Sequence, residues 1–152
     1  MRFRILAGIA LLTLAVDFAA AYDLNRHLWR HRLLFLVAPS ADDAEIAAQQ
    51  RWIERRQDAV LDRDIRVFQL FVGQGRVDDE ALAPSSVMRL RARLGLSDQD
   101  RLVILIGKDG GIKRRAALNT DLREIFRQID GMPMRQDEIR AKKQAGSDVT
   151  SP

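Results

Sequence analysis

Cysteine is absent from the 152 residues of the chain, and this absence excludes more functions than any other feature of the composition. A thiolate is the nucleophile of disulfide exchange and a frequent ligand of structural zinc. The chain can therefore form neither a Cys-x-x-Cys redox pair, nor a cysteine nucleophile, nor a thiolate metal site. Disulfides are excluded as well, so packing and polar contacts alone must hold the fold together.

The apolar run near the start of the chain, residues 5–16, is shorter than the ~20 residues that a membrane-spanning helix needs. Arg2 and Arg4 precede this run, and three alanines at 19–21 follow it. A basic start, an apolar run and small residues, in that order, are typical of a secretory signal peptide. The sequence therefore predicts a signal peptide over residues 1–21 that is cleaved after its last residue. A retained membrane anchor is the alternative.

The chain also lacks a large excess of charge of either sign. Removal of residues 1–21 leaves 23 basic and 20 acidic residues, so the mature chain is only mildly basic despite a pI of about 10.1. Interspersed charges and a single tyrosine do not make a nucleic-acid-binding face, so we predict no nucleic-acid partner. The excess of arginine over lysine and the alanine-rich leader are typical of a GC-rich bacterial genome. We therefore expect an exported bacterial protein, periplasmic or secreted, with no stable membrane span after cleavage.

Four segments of the mature sequence have the length and pattern of β-strands. Residues 33–37 are continuously apolar, which suits a strand covered on both faces, and residues 65–72 alternate in polarity. Residues 102–106 and 112–115 flank a turn that contains Asp-Gly and Gly-Gly. Those dipeptides supply the positive φ angles of tight hairpin turns, so this last pair of strands is predicted to be antiparallel.

Three helices are predicted around these strands. Ser40 or Asp42 caps the first, which runs to about residue 61, and the second covers residues 84–94 before Gly95. The third follows a cap at Asn119 or Thr120 and is interrupted at residues 131–134. Residues 22–31 form a short helix or irregular lead-in, residues 136–144 add a charged helical turn, and residues 145–152 form a disordered tail.

The resulting order after the leader is β, α, β, α, β, β, α, which is the thioredoxin-like order. We therefore predict an α/β domain over residues 22–144, with a central mixed sheet of about four strands and helices on both faces. Crossover helices are expected to join the first three strands, and right-handed crossovers place the first two in parallel at the centre of the sheet.

Four segments carry a family resemblance: residues 29–39 (WRHRLLFLVAP), 62–65 (DRDI), 106–113 (IGKDGGIK) and 129–136 (IDGMPMRQ). Together these signature segments resemble the DUF4174 family. The resemblance spans nearly the whole mature chain, in order, and its GKDGG and MPMR elements are the most distinctive.

The resemblance implies a thioredoxin-like domain, similar to domains of secreted animal matrix proteins and to peroxiredoxin-like folds, and it implies no activity. In thioredoxins and peroxiredoxins the reactive cysteine follows the first central strand, at a helix N-terminus that lowers its pKa. Residues 39–42 (PSAD) occupy that place here, and residues 96–102 contain no proline where thioredoxin has its cis-proline. The fold analogy therefore does not carry the redox function to this chain.

Several polar residues could carry chemistry, but each has an ordinary structural explanation. His27 and His31 have the spacing of metal-binding histidines on a helix, yet no third ligand is evident nearby, so a solvated pair is expected. Met132 and Met134 could offer thioethers to copper, although such methionines more often pack against a core. Ser40 lies outside a nucleophile elbow, and capping explains it better.

Acidic residues in turns have similar explanations. Asp109 suits an Asp-Gly-Gly turn for backbone reasons alone, and the charged residues 62–64 suit a solvated link between a helix and a strand. We therefore predict no catalytic residue, no metal and no cofactor.

Two functions from different classes remain, a non-catalytic binding module and an enzyme that uses a thioredoxin-like scaffold without cysteine. The binding module is favoured because no combination of base, nucleophile and orienting group emerges from the sequence. Its partner would be a protein or another component of the cell envelope. The candidate interaction surface comprises Trp29, Arg32, Lys108, Asp109 and Arg135.

Arg135 follows an apolar Met-Pro-Met turn, which suits a guanidinium that is held by a carboxylate. The carboxylate could belong to the domain or to a partner. An internal pair is the preferred hypothesis, with Asp130 or Asp109 as the acceptor.

Overall fold

The computed structural model describes residues 22–148. The predicted signal peptide and the last four residues lie outside this range. The described chain is a mixed α/β domain with a six-stranded sheet in the order β4-β3-β2-β1-β5-β6. The strands are β1 (Arg32–Val37), β2 (Ile65–Leu70), β3 (Gly75–Val77), β4 (Glu80–Ala81), β5 (Leu102–Ile106) and β6 (Ile112–Ala117). The helices are α1 (Ala44–Glu54), α2 (Gln57–Asp62), α3 (Pro84–Arg93), α4 (Leu122–Asp130) and α5 (Pro133–Asp148), after a short 3-10 helix at Leu24–His27.

Every residue of β1 is buried because helices cover both faces of the sheet. Successive side chains alternate between the faces, so Leu34 and Leu36 pack with α1, α2 and α4. Phe35 lies on the other face with Leu90 of α3, and its ring stacks on Phe68 of β2 at 4.5 Å. The same alternation places Arg32 on the α4 side of the sheet.

The first two strands are parallel neighbours at the centre of the sheet, as predicted. β5 follows helix α3 but runs antiparallel to β1, which corrects the expectation of a third parallel crossover strand. Antiparallel pairing leaves the carboxyl end of β5, at residue 106, beside the start of β1. The loop after β5 therefore meets the start of β1 and the loop that precedes β2.

The predicted β5–β6 hairpin is confirmed. Gly110 in its turn has φ +79°, and a Cβ atom there would approach Leu28 to 2.8 Å. Both the backbone conformation and the close packing therefore require glycine. Gly95, with φ +61°, ends α3 in the left-handed conformation that its position predicted.

The sheet has six strands rather than about four, because the chain between β2 and α3 pairs along the free edge of β2. β3 and β4 contain three residues and two residues, and Val77 is their one buried side chain. Strands this short and polar carry no alternating pattern that sequence analysis could detect.

Three predicted boundaries are also corrected. The cap of α1 is Asp43 rather than Ser40 or Asp42, because the chain first completes a turn from Ser40 to Asp43. The cap of α4 is Asp121 rather than Asn119 or Thr120. The first predicted helix is two helices, since Arg56 leaves helical geometry (φ −131°, ψ 31°).

Helix α5 extends to Asp148, so residues 145–148 are helical instead of belonging to a disordered tail. Lys142 ties this helix to the domain through a 2.7 Å contact with the carboxylate of Asp62. Within residues 22–148, none of the helices combines the length and the apolar character that crossing a bilayer requires.

Candidate functional site

The N-terminus of α1, where thioredoxins and peroxiredoxins carry their cysteine, is closed by an internal carboxylate. Asp43 Oδ1 accepts hydrogen bonds from the backbone N–H groups of Glu45 and Ile46, at 2.8 and 3.4 Å. Arg101 donates to both carboxylate oxygens of Asp43. The donors that would stabilise a thiolate here are therefore occupied by a capping side chain, which agrees with the absence of cysteine.

At the opposite end of β1, the signature segments meet in one charge cluster whose arginines Arg32 and Arg135 are buried. Glu138 of α5 lies at its centre and accepts from Arg32 Nη1 and Nη2 at 3.2 and 3.1 Å. The Nζ of Lys108 lies 2.7 Å from Glu138 Oε1 and 2.7 Å from Asp64. One carboxylate thus joins the start of β1, the hairpin turn and α5. The Glu138 cluster comprises Arg32, Asp62, Arg63, Asp64, Lys108, Asp130, Arg135, Glu138 and Lys142.

Arg135 makes an internal ion pair, as the preferred hypothesis stated. Its guanidinium contacts the carboxylate of Asp62, donates to the Asp62 backbone carbonyl at 2.7 Å and lies 3.4 Å from Asp130. Asp130 was one of the two predicted acceptors. The other, Asp109, pairs instead with Lys113 of the same hairpin, at 2.6 Å.

Burial makes the Glu138 cluster energetically important. Arg32 and Arg135 are only 1% and 3% exposed, so each guanidinium depends on its protein partners in place of water. Arg32 also donates to the backbone carbonyl of Arg63 at 2.9 Å, but its Nε atom is buried without a partner among the described residues. Removal of Glu138 would strand the buried charge of Arg32, and a stranded buried charge typically costs roughly 3–5 kcal/mol.

Two carboxylates of the cluster, those of Glu138 and Asp62, are held in the charged state. Burial raises the pKa of the Glu138 carboxyl, but hydrogen bonds from Arg32 and Lys108 outweigh it and leave the pKa below the ordinary value. The hydrogen bond from Lys142, followed by that from Arg135, lowers the pKa of Asp62. Neither carboxylate is therefore prepared to act as a general acid near neutral pH.

Trp29 sits in a turn that the hairpin holds in place. Its side chain is 66% exposed, and its backbone has φ 62°, a left-handed conformation that is unusual for a bulky residue. The backbone N–H of Trp29 donates to the carbonyl of Lys108 at 2.7 Å. The Lys108 side chain is in turn fixed by Glu138 and Asp64, so the Glu138 cluster holds the residue to which the Trp29 backbone is bonded.

The five predicted surface residues therefore fall into two groups. Arg32 and Arg135 are buried in the cluster, so they support a surface rather than form one. Lys108 links that cluster to the turn, while Trp29 and Asp109 are exposed. Asp109 Oδ1 accepts from the N–H of Gly111 at 3.0 Å, which is the backbone role expected from its turn.

The histidine pair forms a hydrogen-bonded chain with Tyr22. The Tyr22 hydroxyl lies 2.7 Å from His27 Nε2, and His27 Nδ1 lies 3.2 Å from His31 Nδ1. Burial lowers the pKa of His27 to about 4 and also lowers the pKa of His31. His27 is 7% exposed, so the predicted solvated pair is instead a partly buried, neutral one.

A cavity of about 120 Å³ lies beside these histidines, next to the hairpin. Pockets for drug-sized ligands typically enclose 300–1,000 Å³, so this cavity holds only a few small molecules. No group of three or more His, Asp or Glu side chains arranged to bind a metal occurs within residues 22–148.

Three contacts were not predicted from the sequence: those of Glu138, the pairing of Arg135 with Asp62, and the contact of Tyr22 with His27. Glu138 did have a local signal, because it follows Arg135 by three residues, and side chains three or four residues apart are neighbours on a helix. The contacts of Glu138 with Arg32 and Lys108 cross the fold and carried no such signal.

We predict that Arg135→Ala lowers the free energy of unfolding by about 3 kcal/mol, because it leaves Asp62 and Asp130 without their buried partner. Denaturant unfolding followed by circular dichroism measures this. Arg140→Ala is the matched control on the same helix, since the Arg140–Asp137 pair is exposed and should change stability by less than ~1 kcal/mol. Equal stability of Arg135→Ala and the control would show that the pair is unimportant.

We predict that acid destabilises the protein between about pH 6.5 and pH 4 through the buried imidazole of His27. Unfolded histidine binds a proton near pH 6.5, but folded His27 does so only near pH 4. Between these values the unfolded state binds more protons, so stability falls as pH falls. The groups that set this pKa are the neighbouring charges of Arg26, His31, Arg66 and Asp78, after burial itself.

Unfolding free energies measured at pH 7, 6, 5 and 4.5 test this prediction. His27→Gln should flatten the decline, leaving the smaller contribution of His31. A decline of unchanged steepness in that variant would assign the acid sensitivity to other groups.

The fold has relatives among solved structures. The chain superposes on reduced 2-Cys peroxiredoxin from Plasmodium vivax with a TM-score of 0.57 and 15% identity, covering 75% of this chain and 72% of that one. For the mitochondrial 2-Cys peroxiredoxin from Plasmodium falciparum the TM-score is 0.46 and the identity 12%, over 72% of this chain and 79% of that one. No curated protein matches the sequence. The first likeness shows a thioredoxin-like fold and nothing about activity.

A family model described as a domain of unknown function, DUF4174, matches residues 23–138. This range contains all four signature segments and ends at the residue on which the buried cluster is centred. The chain therefore belongs to the DUF4174 family.

Proposed function

We propose that the protein is an exported, non-catalytic binding module that contacts a protein or another component of the cell envelope. The contact surface consists of the exposed side chain of Trp29 together with the adjoining hairpin turn at residues 108–111. The single observation that carries this proposal is the exposed indole on a left-handed backbone that is anchored to Lys108.

Several features of the Trp29 turn support binding. Tryptophan is enriched among the residues that dominate interface energies, because it buries a large area with few rotatable bonds. Backbone strain persists only where the surrounding structure over-determines it, and such strain concentrates at functional sites. Here the Trp29 backbone is held by its hydrogen bond to Lys108, and Lys108 is held by the Glu138 cluster. A rigid surface loses little entropy when it binds.

The alternative of an enzyme without cysteine receives less support. It needs a deep pocket with converging Asp, His or Arg side chains. The cavity beside His27 and His31 measures only about 120 Å³, although a hollow of about 320 Å³ on the other side of His27 does bring His27, Arg66 and Asp78 together. The helix N-terminus that serves redox chemistry in the fold is capped by Asp43. Thiol redox chemistry is impossible in a chain without cysteine.

We predict that Trp29→Asn abolishes recovery of the partner when the protein is crosslinked in its native compartment and purified. Asparagine tolerates the left-handed backbone, so the substitution removes the indole with little added strain. Met88→Asn is the matched control, because Met88 is also 66% exposed but lies on α3. The partner should be recovered with the control, and the recovered protein should begin at Tyr22.

If both variants recover the same crosslinked molecules, Trp29 is not the contact. Recovery of the intact chain from the cytosol would contradict the proposed export.

A further inference from the structure

A second surface lies between helices α1–α2 and helix α4, away from the Trp29 turn. Here a groove of about 640 Å³ is floored by Trp52 and Phe126, whose rings meet edge to face with centroids 5.1 Å apart. A neighbouring hollow of about 280 Å³ shares Trp52, Asp121 and Arg123 with it and continues toward Thr120. The two adjoining hollows are together called the trough, and none of the five predicted surface residues lines it.

Arginine side chains dominate the rim of the trough. Arg63 lies over Phe126 at 4.8 Å and pairs with Asp130, while Arg123 pairs with Asp121 at 3.1 Å. Three further arginines on the rim, Arg55, Arg56 and Arg127, form no salt bridge within the described part of the chain.

Arg56 extends over the Trp52 ring at 4.4 Å, so its charge is held at the aromatic floor. An apolar floor beneath unpaired guanidinium groups is complementary to a ligand that combines carboxylates with apolar side chains. Arginine binds a carboxylate through two parallel hydrogen bonds, and the rings offer apolar area.

We propose that this trough binds an extended acidic peptide segment of a partner protein. The carboxylates of the segment pair with Arg55, Arg56 and Arg127, and an aliphatic or aromatic side chain packs on the accessible part of Trp52. These three arginines belong to two separate segments, the α1–α2 junction and α4, which favours a chain that carries several carboxylates over a single small anion. Asp121 and Asp130 on the same rim already occupy Arg123 and Arg63, so a ligand must place its carboxylates at the three unpaired arginines, which a peptide of defined sequence can do.

The proposal is tested with a fluorescein-labelled ten-residue peptide in which glutamate alternates with leucine and phenylalanine. Fluorescence anisotropy should show saturable binding to the purified protein, and no binding when glutamine replaces every glutamate. Arg56→Glu and Arg127→Glu should each weaken binding at least about tenfold, since each removes hydrogen bonds to a charged group. Arg89→Glu is the matched control, because it makes the same charge change on α3, across the sheet, and should bind as the wild type does.

Trp29→Phe provides a second measurement and separates this site from the Trp29 surface. The variant retains Trp52 as its one tryptophan, so the peptide should still bind and should shift the tryptophan emission. Loss of peptide binding in Trp29→Phe would assign the peptide to the other surface and overturn the proposal.

Three other results would also overturn it: no saturable binding of the acidic peptide, equal weakening by Arg89→Glu, or Arg127-dependent binding of phosphatidylglycerol vesicles without binding of the peptide. Thermal unfolding of each variant shows whether it is folded. All substituted arginines are exposed, so the variants should remain folded.

Discussion

A buried guanidinium at the start of the central strand is the constraint on which the rest of the structure depends. Arg32 is 1% exposed and directly precedes the apolar residues of β1. Because water does not reach its guanidinium, a carboxylate from another part of the chain must balance the charge. Glu138 does so from α5, the last helix. The fold is therefore incomplete until the C-terminal helix packs across the end of the sheet.

This requirement explains why distant signature segments occur together. The first contributes Arg32 and Trp29, the hairpin contributes Lys108, and the last contributes Arg135. Residues 62–65, which looked like a solvated link, supply carboxylates to Arg135 and Lys108. The segments that are most distinctive in sequence thus converge at the end of the sheet opposite to the position of a peroxiredoxin-like cysteine.

The parts of the fold that could be predicted from sequence are those with local causes. A continuous apolar run identified β1, Asp-Gly and Gly-Gly identified the hairpin, and Gly95 marked the end of α3. β3 and β4 could not be found, because their conformation follows from pairing with β2 rather than from their own pattern. The extension of α5 likewise depends on Lys142 reaching Asp62 from another element.

The candidate sites divide in the same way. An internal pair for Arg135 was predictable because the chemistry of a guanidinium after an apolar turn is local, and Asp130 lies only five residues away. The burial of Arg32 could not be predicted, since an arginine beside an apolar strand is usually exposed. The trough depends on Trp52 and Phe126 meeting across two helices that are far apart in sequence.

A double-mutant cycle between Arg32 and Glu138 tests most directly whether this pair holds the domain together. Glu138→Met should lower the free energy of unfolding by about 3 kcal/mol, because it strands the buried charge of Arg32. Arg32→Met should lower it by less, because Glu138 keeps its contact with Lys108. The double variant strands neither member of the pair, so its loss should fall short of the sum by at least ~1 kcal/mol. Losses that add to within ~0.5 kcal/mol would show that the two residues act independently, and would contradict the account.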